Sequence, residues 1–262
     1  VPPFLAHEGA IIGWLARERP TLVPNLLAAD PARATVLLAD LGADEQWDAP
    51  EPQLLRMVRE LVSLQARCAT EVDDLLSSGV PDLRATRLED AVHGLVVRDD
   101  VRSTLDPSVL PALDALDADL PRRLQELTAS GLPETLVHGD FHTGNWIAAG
   151  DDLVLIDWGD SFVGHPMIDA AAFLGRIADA DLKARVLATW VDAWRGACPD
   201  SDPERAVAAV PPIAALQRAL TYRMFLDGIE PSEHRYHAND VPEWLHLAIG
   251  AAGAPSDPRA PG

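Results

Sequence analysis

The chain has 262 residues and a formal net charge of −20, so it is long enough to bury a sizeable core. Its hydrophobic content of 48% is ordinary for a soluble globular protein. Nucleic-acid partners are excluded because phosphate backbones need clustered Lys and Arg. Membrane spans are excluded because no stretch approaches the roughly 18 apolar residues that they require. The two cysteines match no metal or redox spacing, which predicts reduced thiols in a cytoplasmic protein.

The first predicted elements are a helix and a strand. Apolar residues at helical spacing within residues 4–15 predict an amphipathic helix, and Pro20 lies just beyond it, where a stop signal is expected. The apolar run at residues 36–39 predicts a buried strand, and residues 40–42 form a connector after it.

Long helices are predicted next. Residues 52–76 carry apolar side chains along one face, and Gly79 suits the C-terminal cap of that helix. Asp106 and Pro107 predict a cap followed by a proline at the first position of a leucine-rich helix that ends near Leu127. Further helices are predicted over residues 167–177, 182–195, 213–226 and 241–249. Residues 250–262 are predicted to form a disordered tail.

Between these helical regions lies a short β segment that carries polar residues. Residues 135–137 and 153–156 predict strands, with turn-forming residues between 148 and 152. Asp140 lies in the loop after the first strand, and Asn145 lies five residues later, where the next strand begins. Asp157 lies at the C-terminal end of the strand after the turn. Asn145 and Asp157 would converge as the sparse oxygen ligands that magnesium prefers. Asp140 would stand nearby and orient or deprotonate an attacking hydroxyl or amine.

The motif around these residues resembles a known family. His138-Gly-Asp-Phe-His-Thr-Gly-Asn145, the following Ile156-Asp-Trp and the downstream Gly164-His-Pro-Met-Ile-Asp169 are similar to the motifs of aminoglycoside phosphotransferases and choline kinase-like proteins. These are relatives of the protein kinases, and the spacing between Asp140 and Asn145 agrees with the protein-kinase pattern. The resemblance covers roughly residues 2 to 250. It implies a protein-kinase-like α+β fold, with a mostly helical C-terminal lobe, a small central β-hairpin insertion and a remnant of the N-terminal β lobe.

The resemblance also implies roles for individual residues. Asp140 would be the catalytic base or substrate-orienting residue, and Asn145 and Asp157 would be the magnesium ligands. The nucleotide-binding residues implied by the family are of two kinds: an apolar floor under adenine and an interlobe hinge that bonds the adenine edge. They are Ile147 and Ile156 for the floor, and Asp40, Leu41 and Gly42 for the hinge.

Domain boundaries follow from the same resemblance. Residues 1–42 would be a remnant of the N-terminal lobe, residues 43–249 the catalytic and acceptor-binding lobe, and residues 250–262 the tail. Family members carry a glycine-rich loop and a lysine before the helix that bears Glu8, whereas the only lysine here is Lys183. The sequence is therefore expected to be either a fragment or a natively short protein, and this chain alone is expected to have weak or no phosphotransferase activity.

The predicted function is transfer of the γ-phosphoryl group of ATP, with Mg²⁺, to a hydroxyl of a small polar acceptor such as an aminoglycoside, choline, a sugar or an amino alcohol. The acceptor is expected to lie against the helical lobe. Its candidate contacts, each of which could equally be a solvated surface group, are Asp160, Tyr222, Asp227, Glu230, Glu233 and Trp244. Two alternatives remain open. One is a catalytically silent kinase-like binding module. The other is a transition-metal hydrolase site built from His138, Asp140, His142 and His165.

Overall fold

The structure is a computed structural model, and it describes residues 5–42 and 44–253. Ten helices lie within those ranges: α1 (Glu8–Glu18), α2 (Glu51–Cys68), α3 (Val72–Ser77), α4 (Ala85–Val96), α5 (Asp99–Arg102), α6 (Leu110–Thr128), α7 (Met167–Gly175), α8 (Ala180–Ala197), α9 (Pro203–Gly228) and α10 (Asp240–Gly253). The six strands described there are β1 (Leu26–Asp30), β2 (Thr35–Leu38), β3 (Thr135–Val137), β4 (Trp146–Ala149), β5 (Asp152–Leu155) and β6 (Phe162–Gly164). No helix in these ranges is both long and apolar enough to traverse a membrane.

The chain packs as two compact units. The first contains Val1–Asp82 and Leu132–Ser201, and the second contains Leu83–Gly131 and Asp202–Gly262. All six described strands and the predicted catalytic motif belong to the first unit. This division reflects packing alone, and the lobe boundaries predicted at residues 42 and 249 stay a prediction.

The strands of the first unit form three antiparallel pairs, β1 with β2, β3 with β6, and β4 with β5. In the β4–β5 hairpin Trp146 lies opposite Leu155, and the turn follows the pair of Ala149 and Asp152. In the β3–β6 pair Thr135 lies opposite Gly164. The predicted strands at 135–137 and 153–156 are therefore present, whereas β1 and β6 were not predicted.

An aromatic cluster anchors the segment after β3 in the core of the first unit. Phe141 is fully buried, and its ring centroid lies 5.0 Å from that of Phe173 on α7 and 5.8 Å from that of Trp190 on α8. Trp146, the first residue of β4, packs on the same ring at 5.9 Å. Burial of large aromatic rings contributes strongly to core stability. The Phe of the motif thus fixes the polar loop to two helices.

The second unit is helical throughout its described part. α9 packs against α4, α6 and α10. The leucine stripe predicted for α6 is buried, at Leu113, Leu116, Leu120, Leu124 and Leu127. α9 is longer than the predicted residues 213–226 because it continues through Pro211 and Pro212.

Three other predicted helix boundaries also differ from the structure. The helix predicted over residues 52–76 breaks after Cys68, where the Thr70 hydroxyl donates to the Arg67 carbonyl and competes with the helical ladder. The helix predicted to begin at Pro107 begins at Leu110, because the Asp106 carboxylate accepts the Ser108 N–H at 2.8 Å in a turn before it. The predicted tail is helical up to Gly253, and residues 254–262 lie outside the described residues.

The strand predicted as buried at residues 36–39 is present as β2, but it is not buried. Leu37 is 57% exposed, and so is Leu27 on the paired strand β1. The opposite face of the hairpin lies on α1, where Gly9 and Gly13 allow Val36 and Leu26 to approach closely. An apolar run alone does not distinguish a strand buried on both faces from one covered on one face.

Candidate active site

The β4–β5 hairpin brings the two predicted metal ligands to neighbouring positions. Asn145 immediately precedes β4, and its carbonyl accepts the Ile156 N–H at 2.9 Å just beyond β5. Asp157 is the next residue, exposed and in the left-handed backbone region at φ 63° and ψ 61°. This region is uncommon for a residue other than glycine, although Asp tolerates it better than most. Such strain is concentrated at functional sites.

The side chain of Asn145, one of the two predicted ligands, bonds the backbone of the residue that carries the predicted base. Its Nδ2 donates to the Asp140 carbonyl at 2.9 Å. Because the amide nitrogen is used there, Oδ1 is the atom available to a cation. An amide oxygen and a carboxylate form the oxygen-only donor set that fits Mg²⁺. The residues present at Asn145 and Asp157 therefore fit the predicted ion.

The transition-metal alternative has no assembled site. Within residues 5–42 and 44–253, no three His, Cys, Asp or Glu side chains are grouped so that they could hold a metal ion. His165 is buried and its Nδ1 accepts the Met167 N–H at 3.3 Å. Burial lowers the pKa of His165 to about 3, which keeps this imidazole neutral.

His138 organises the loop by hydrogen bonding. Its Nε2 lies 3.0 Å from the Ile156 carbonyl, which can only accept, so Nε2 carries the proton. Nδ1 is then the acceptor for the Asp140 N–H at 3.4 Å. The fully buried imidazole thus connects the backbone of Asp140 to the end of β5, and it packs against the Trp158 ring at 4.7 Å between centroids.

Asp169, in the first turn of α7, holds the same loop by hydrogen bonds to its backbone. It is 0% exposed, and its two carboxylate oxygens accept the N–H groups of His138 at 2.8 Å and Gly139 at 3.0 Å. Gln65 of α2 donates to it from Nε2 at 2.9 Å. Burial raises the pKa of Asp169 to about 7, and these hydrogen bonds act in the opposite direction while the charge of Asp140 adds to the rise. Asp169 is a positioning residue for the loop that carries Asp140.

Gly139 allows the loop to pass close to the neighbouring turn. Its φ is +85°, and a Cβ at this position would lie 2.1 Å from the Asp160 carbonyl oxygen. Both the left-handed conformation and the close approach require glycine. The Gly of the motif is therefore explained by backbone sterics.

The carboxylate of Asp140 is flanked by two cationic or potentially cationic groups. Its Oδ2 lies 3.5 Å from His142 Nε2, and its Oδ1 lies 3.7 Å from Arg176 Nη2. The Nδ1 of His142 accepts the Gly144 N–H at 3.0 Å, so the proton of the neutral ring is on Nε2 and directed to Asp140. Trp47 stacks on His142 with 5.1 Å between ring centroids.

The segment that follows the predicted hinge pairs with β4. The Gln46 N–H donates to the Trp146 carbonyl and the Ala148 N–H to the Asp44 carbonyl, both at 3.1 Å, which places Glu45 opposite Ile147. The predicted hinge is thus followed by a segment that pairs with Ile147, the buried residue predicted for the floor. The Gly42 N–H donates to the Asp40 carboxylate at 2.8 Å. The binding of adenine by residues 40–42, Ile147 and Ile156 stays a prediction.

Glu8 of α1 reaches the turn that carries Asp157. Burial and the nearby charge of Asp157 raise the pKa of Glu8, and the hydrogen bond that its carboxylate accepts from the Trp158 backbone N–H acts in the opposite direction. Lys183, the only lysine of the chain, is exposed on α8.

Of the predicted acceptor contacts, Asp227 already has cationic partners within the second unit. Its carboxylate lies 3.0 Å from Arg98 Nη1 and also pairs with Arg223. The guanidinium of Arg218 lies over the ring of Tyr222, 5.0 Å from its centroid. Asp227 is therefore a member of an ion-pair network in which its charge is compensated by two arginines.

Comparison with known proteins identifies the family. The profile of the phosphotransferase enzyme family (APH) matches residues 1–208. The chain therefore belongs to this family. No curated protein sequence matches the chain.

Three of the similar solved structures are enzymes of this kind. A macrolide 2'-phosphotransferase type I is 19% identical, with a TM-score of 0.59 over 95% of this chain and 78% of that chain. A choline/ethanolamine kinase family protein from Mesorhizobium loti is 15% identical, with a TM-score of 0.62 over 96% and 79%. An amicoumacin kinase in complex with AMP-PNP and Ca²⁺ is 13% identical, with a TM-score of 0.57 over 98% and 80%. These likenesses confirm the predicted protein-kinase-like α+β fold.

Three residues near the site were missed from the sequence. Gln65 is a polar residue four positions after Leu61 on the apolar face of α2, and that misplaced polarity was a usable signal. Arg176 follows Asp169 by seven residues, which puts both on one face of the segment formed by α7 and its C-cap. Trp47 gave no signal, because its contact with His142 joins segments that are remote in the chain.

Proposed function

We propose that this protein transfers the γ-phosphoryl group of ATP to a hydroxyl of a small polar molecule. The observation that carries the proposal is the arrangement around Asp140. Asp169 accepts hydrogen bonds from the backbone of the Asp140 loop, the Asp140 carbonyl accepts the Asn145 amide, and Asp157 directly follows Ile156, whose N–H bonds the Asn145 carbonyl. Positioning and electrostatic stabilisation provide most of the catalysis in phosphoryl transfer, so a rigid loop of this kind suits the reaction.

In the proposed reaction Asp140 accepts a hydrogen bond from the acceptor hydroxyl. The oxygen of that hydroxyl forms a bond to the γ-phosphorus as the bond between the γ-phosphorus and the bridging oxygen of ADP breaks. The electron pair of the broken bond stays with ADP, and the hydroxyl proton goes to the Asp140 carboxylate. His138 and Asp169 keep the backbone of Asp140 in place during the reaction and exchange no proton with the reactants.

Asn145 and Asp157 would hold Mg²⁺. When bound, the ion neutralises charge on the nucleotide phosphates. The hydrogen bond from Asn145 Nδ2 to the Asp140 carbonyl ties this ligand to the backbone of the residue that carries the base.

Support for the donor and the acceptor comes from relatives of the same fold. One similar structure contains AMP-PNP, an ATP analogue, with Ca²⁺. Others are named for macrolides or for choline and ethanolamine, and these compounds bear hydroxyl groups. We propose a hydroxyl-bearing small molecule as acceptor on this basis, and a cytoplasmic location, where ATP is available.

The test compares Asp140→Asn and Asp157→Asn with Asp151→Asn, an exposed aspartate in the turn of the same hairpin. ADP release from ATP and Mg²⁺ is measured without acceptor and with choline, ethanolamine, an aminoglycoside and a macrolide. Asp140→Asn is expected to lower the rate by about 10²- to 10⁴-fold with nucleotide affinity retained, because it removes proton transfer. Asp157→Asn is expected to weaken binding of the magnesium nucleotide.

Asp151→Asn is expected to behave like the wild type. A wild-type rate in Asp140→Asn would overturn the assignment of Asp140. Tight binding of the magnesium nucleotide with no ADP release from the wild type on any acceptor would instead favour the silent binding module.

A further inference from the structure

Arg176 is set beside the candidate base by the helix that also braces the catalytic loop. Asp169 and Arg176 are seven residues apart, two turns on one face of the helical segment that contains α7. The Asp169 carboxylate accepts hydrogen bonds from the backbone of the loop. Two turns later, Arg176 Nη2 lies 3.7 Å from Oδ1 of the Asp140 side chain. One helical segment therefore carries both the residue that bonds the loop and the arginine beside the Asp140 carboxylate.

The contact between Arg176 and Asp140 contributes little to the stability of the fold. Arg176 is 53% exposed and makes one long contact to the carboxylate. Arg185 of α8 has almost the same exposure, 51%, but it forms two bonds of 2.7 and 3.0 Å to Glu51. An exposed ion pair contributes little to stability, and a long single contact contributes the least.

Arg176 lies close to the place where the acceptor hydroxyl would be phosphorylated in the proposed function. In the proposed function the acceptor hydroxyl donates to Asp140, so the oxygen that becomes phosphorylated is one hydrogen bond from this carboxylate. A guanidinium 3.7 Å from the same carboxylate is within reach of a phosphoryl group on that oxygen. A planar guanidinium has five N–H donors that match phosphate oxygens in pairs.

We propose that Arg176 is a further catalytic residue, which contacts the transferring phosphoryl group through its guanidinium. This inference rests on the proposed function. Before the reaction Arg176 is paired with the charged Asp140. As the hydroxyl proton passes to Asp140, that carboxylate loses its charge, and the guanidinium is attracted instead to the oxygens of the phosphoryl group. Arg176 stays protonated throughout, and the bonds that form and break are those of the hydroxyl attack given above.

A contact that strengthens only as the phosphoryl group moves raises kcat more than it lowers KM. Arg176→Ala is therefore expected to lower kcat for ADP release by about 10²- to 10³-fold, with KM for the nucleotide changed by less than about threefold. Arg176→Lys is expected to recover part of the loss, because lysine keeps the charge without the planar fork. Added guanidinium chloride, below the concentrations that unfold the protein, is expected to restore activity to Arg176→Ala.

Arg185→Ala is the matched control, because it removes an arginine of equal exposure from the same unit without touching Asp140. It is expected to keep the wild-type rate and to gain nothing from guanidinium. Thermal unfolding of all variants checks that the fold is intact. An unchanged kcat in Arg176→Ala, a rise in KM alone, or a loss that guanidinium cannot relieve would each overturn the proposal.

Two further measurements separate this inference from the proposed function. Asp140→Asn is assayed in parallel: if it is inactive while Arg176→Ala is normal, only the role of Arg176 fails. Binding of MgADP with aluminium fluoride, a mimic of the transferring group, is measured without turnover. Arg176→Ala is expected to bind the mimic at least about tenfold more weakly with MgADP affinity unchanged. A wild type that binds neither MgADP nor the mimic would overturn both proposals.

Discussion

The two antiparallel hairpins β1–β2 and β4–β5 have similar lengths but very different surroundings. β4–β5 begins with the buried Trp146 and ends with the buried Leu155. Each of its strands also bonds a segment from the N-terminal part of the chain, β4 at Asp44 and Gln46 and β5 at Leu22. In β1–β2 one face lies on α1, and the other exposes Leu27 and Leu37.

The comparison shows why the candidate site is attached to the second hairpin. A strand that is bonded along its outer edge and buried by aromatic rings cannot slip in register, so Asn145 and Asp157 keep their positions relative to Asp140. A two-stranded hairpin with one open face has little stability of its own. Both elements are antiparallel hairpins, so the hairpin geometry does not explain the difference. The rigid support for the site comes from the neighbouring segments and side chains that cover β4–β5.

The largest expected difference between the hairpins is in stability. Leu155→Ala removes a fully buried side chain, so it is expected to lower the free energy of unfolding by about 2–5 kcal/mol. Leu37→Ala, at a side chain that is 57% exposed, is expected to change it by less than about 0.5 kcal/mol. Urea unfolding followed by tryptophan fluorescence measures both. Equal losses would mean that β1–β2 is covered in solution.

A smaller effect separates two glycines that share a left-handed backbone. Gly42, after β2, has φ +80° and open space where a Cβ would lie, whereas Gly139 has φ +85° and the Asp160 carbonyl oxygen 2.1 Å from the position of a Cβ. Gly42→Ala is expected to cost about 1–2 kcal/mol from conformation alone. Gly139→Ala is expected to cost about 1–3 kcal/mol more from overpacking, with loss of activity because the loop must move. Similar stabilities of the two variants in urea would contradict the close approach.

A further expected effect is a pH dependence of stability that arises outside both hairpins. Burial raises the pKa of Asp169 to about 7 from an ordinary 3.8, so the folded state binds the proton more tightly than the unfolded state. The stabilisation from this group is full below about pH 4 and is lost as the pH rises to about 7, at a slope of at most about 1.4 kcal/mol per pH unit. Asp169→Asn is expected to remove that slope from the free energy of unfolding.

The control for Asp169→Asn is Asp30→Asn, which removes an exposed carboxylate at the end of β1. It is expected to leave the difference between pH 5 and pH 7 as in the wild type. If Asp169→Asn and the wild type showed parallel pH profiles over this range, the buried carboxylate would not be the source of the dependence.

The predictions from sequence were best where the determining interactions are local. The strands at 135–137 and 153–156 and the leucine stripe of α6 follow from periodicity and turn residues, and the structure contains them. The break after Cys68 depended on one hydroxyl that bonds a backbone carbonyl, a choice that propensity does not record. The exposure of β2 depended on which elements cover it, and no local pattern contains that information.

For the candidate site, the sequence by itself determined the order and spacing of Asp140, Asn145 and Asp157, because a short hairpin leaves little freedom between residues so near in the chain. Only the tertiary structure decided what surrounds them. Gln65, Trp47 and Arg176 reach the loop from α2, the segment after the hinge and the end of α7. Such contacts form only when remote helices pack together to bury their apolar faces, and side-chain chemistry along the chain does not fix which polar groups then meet.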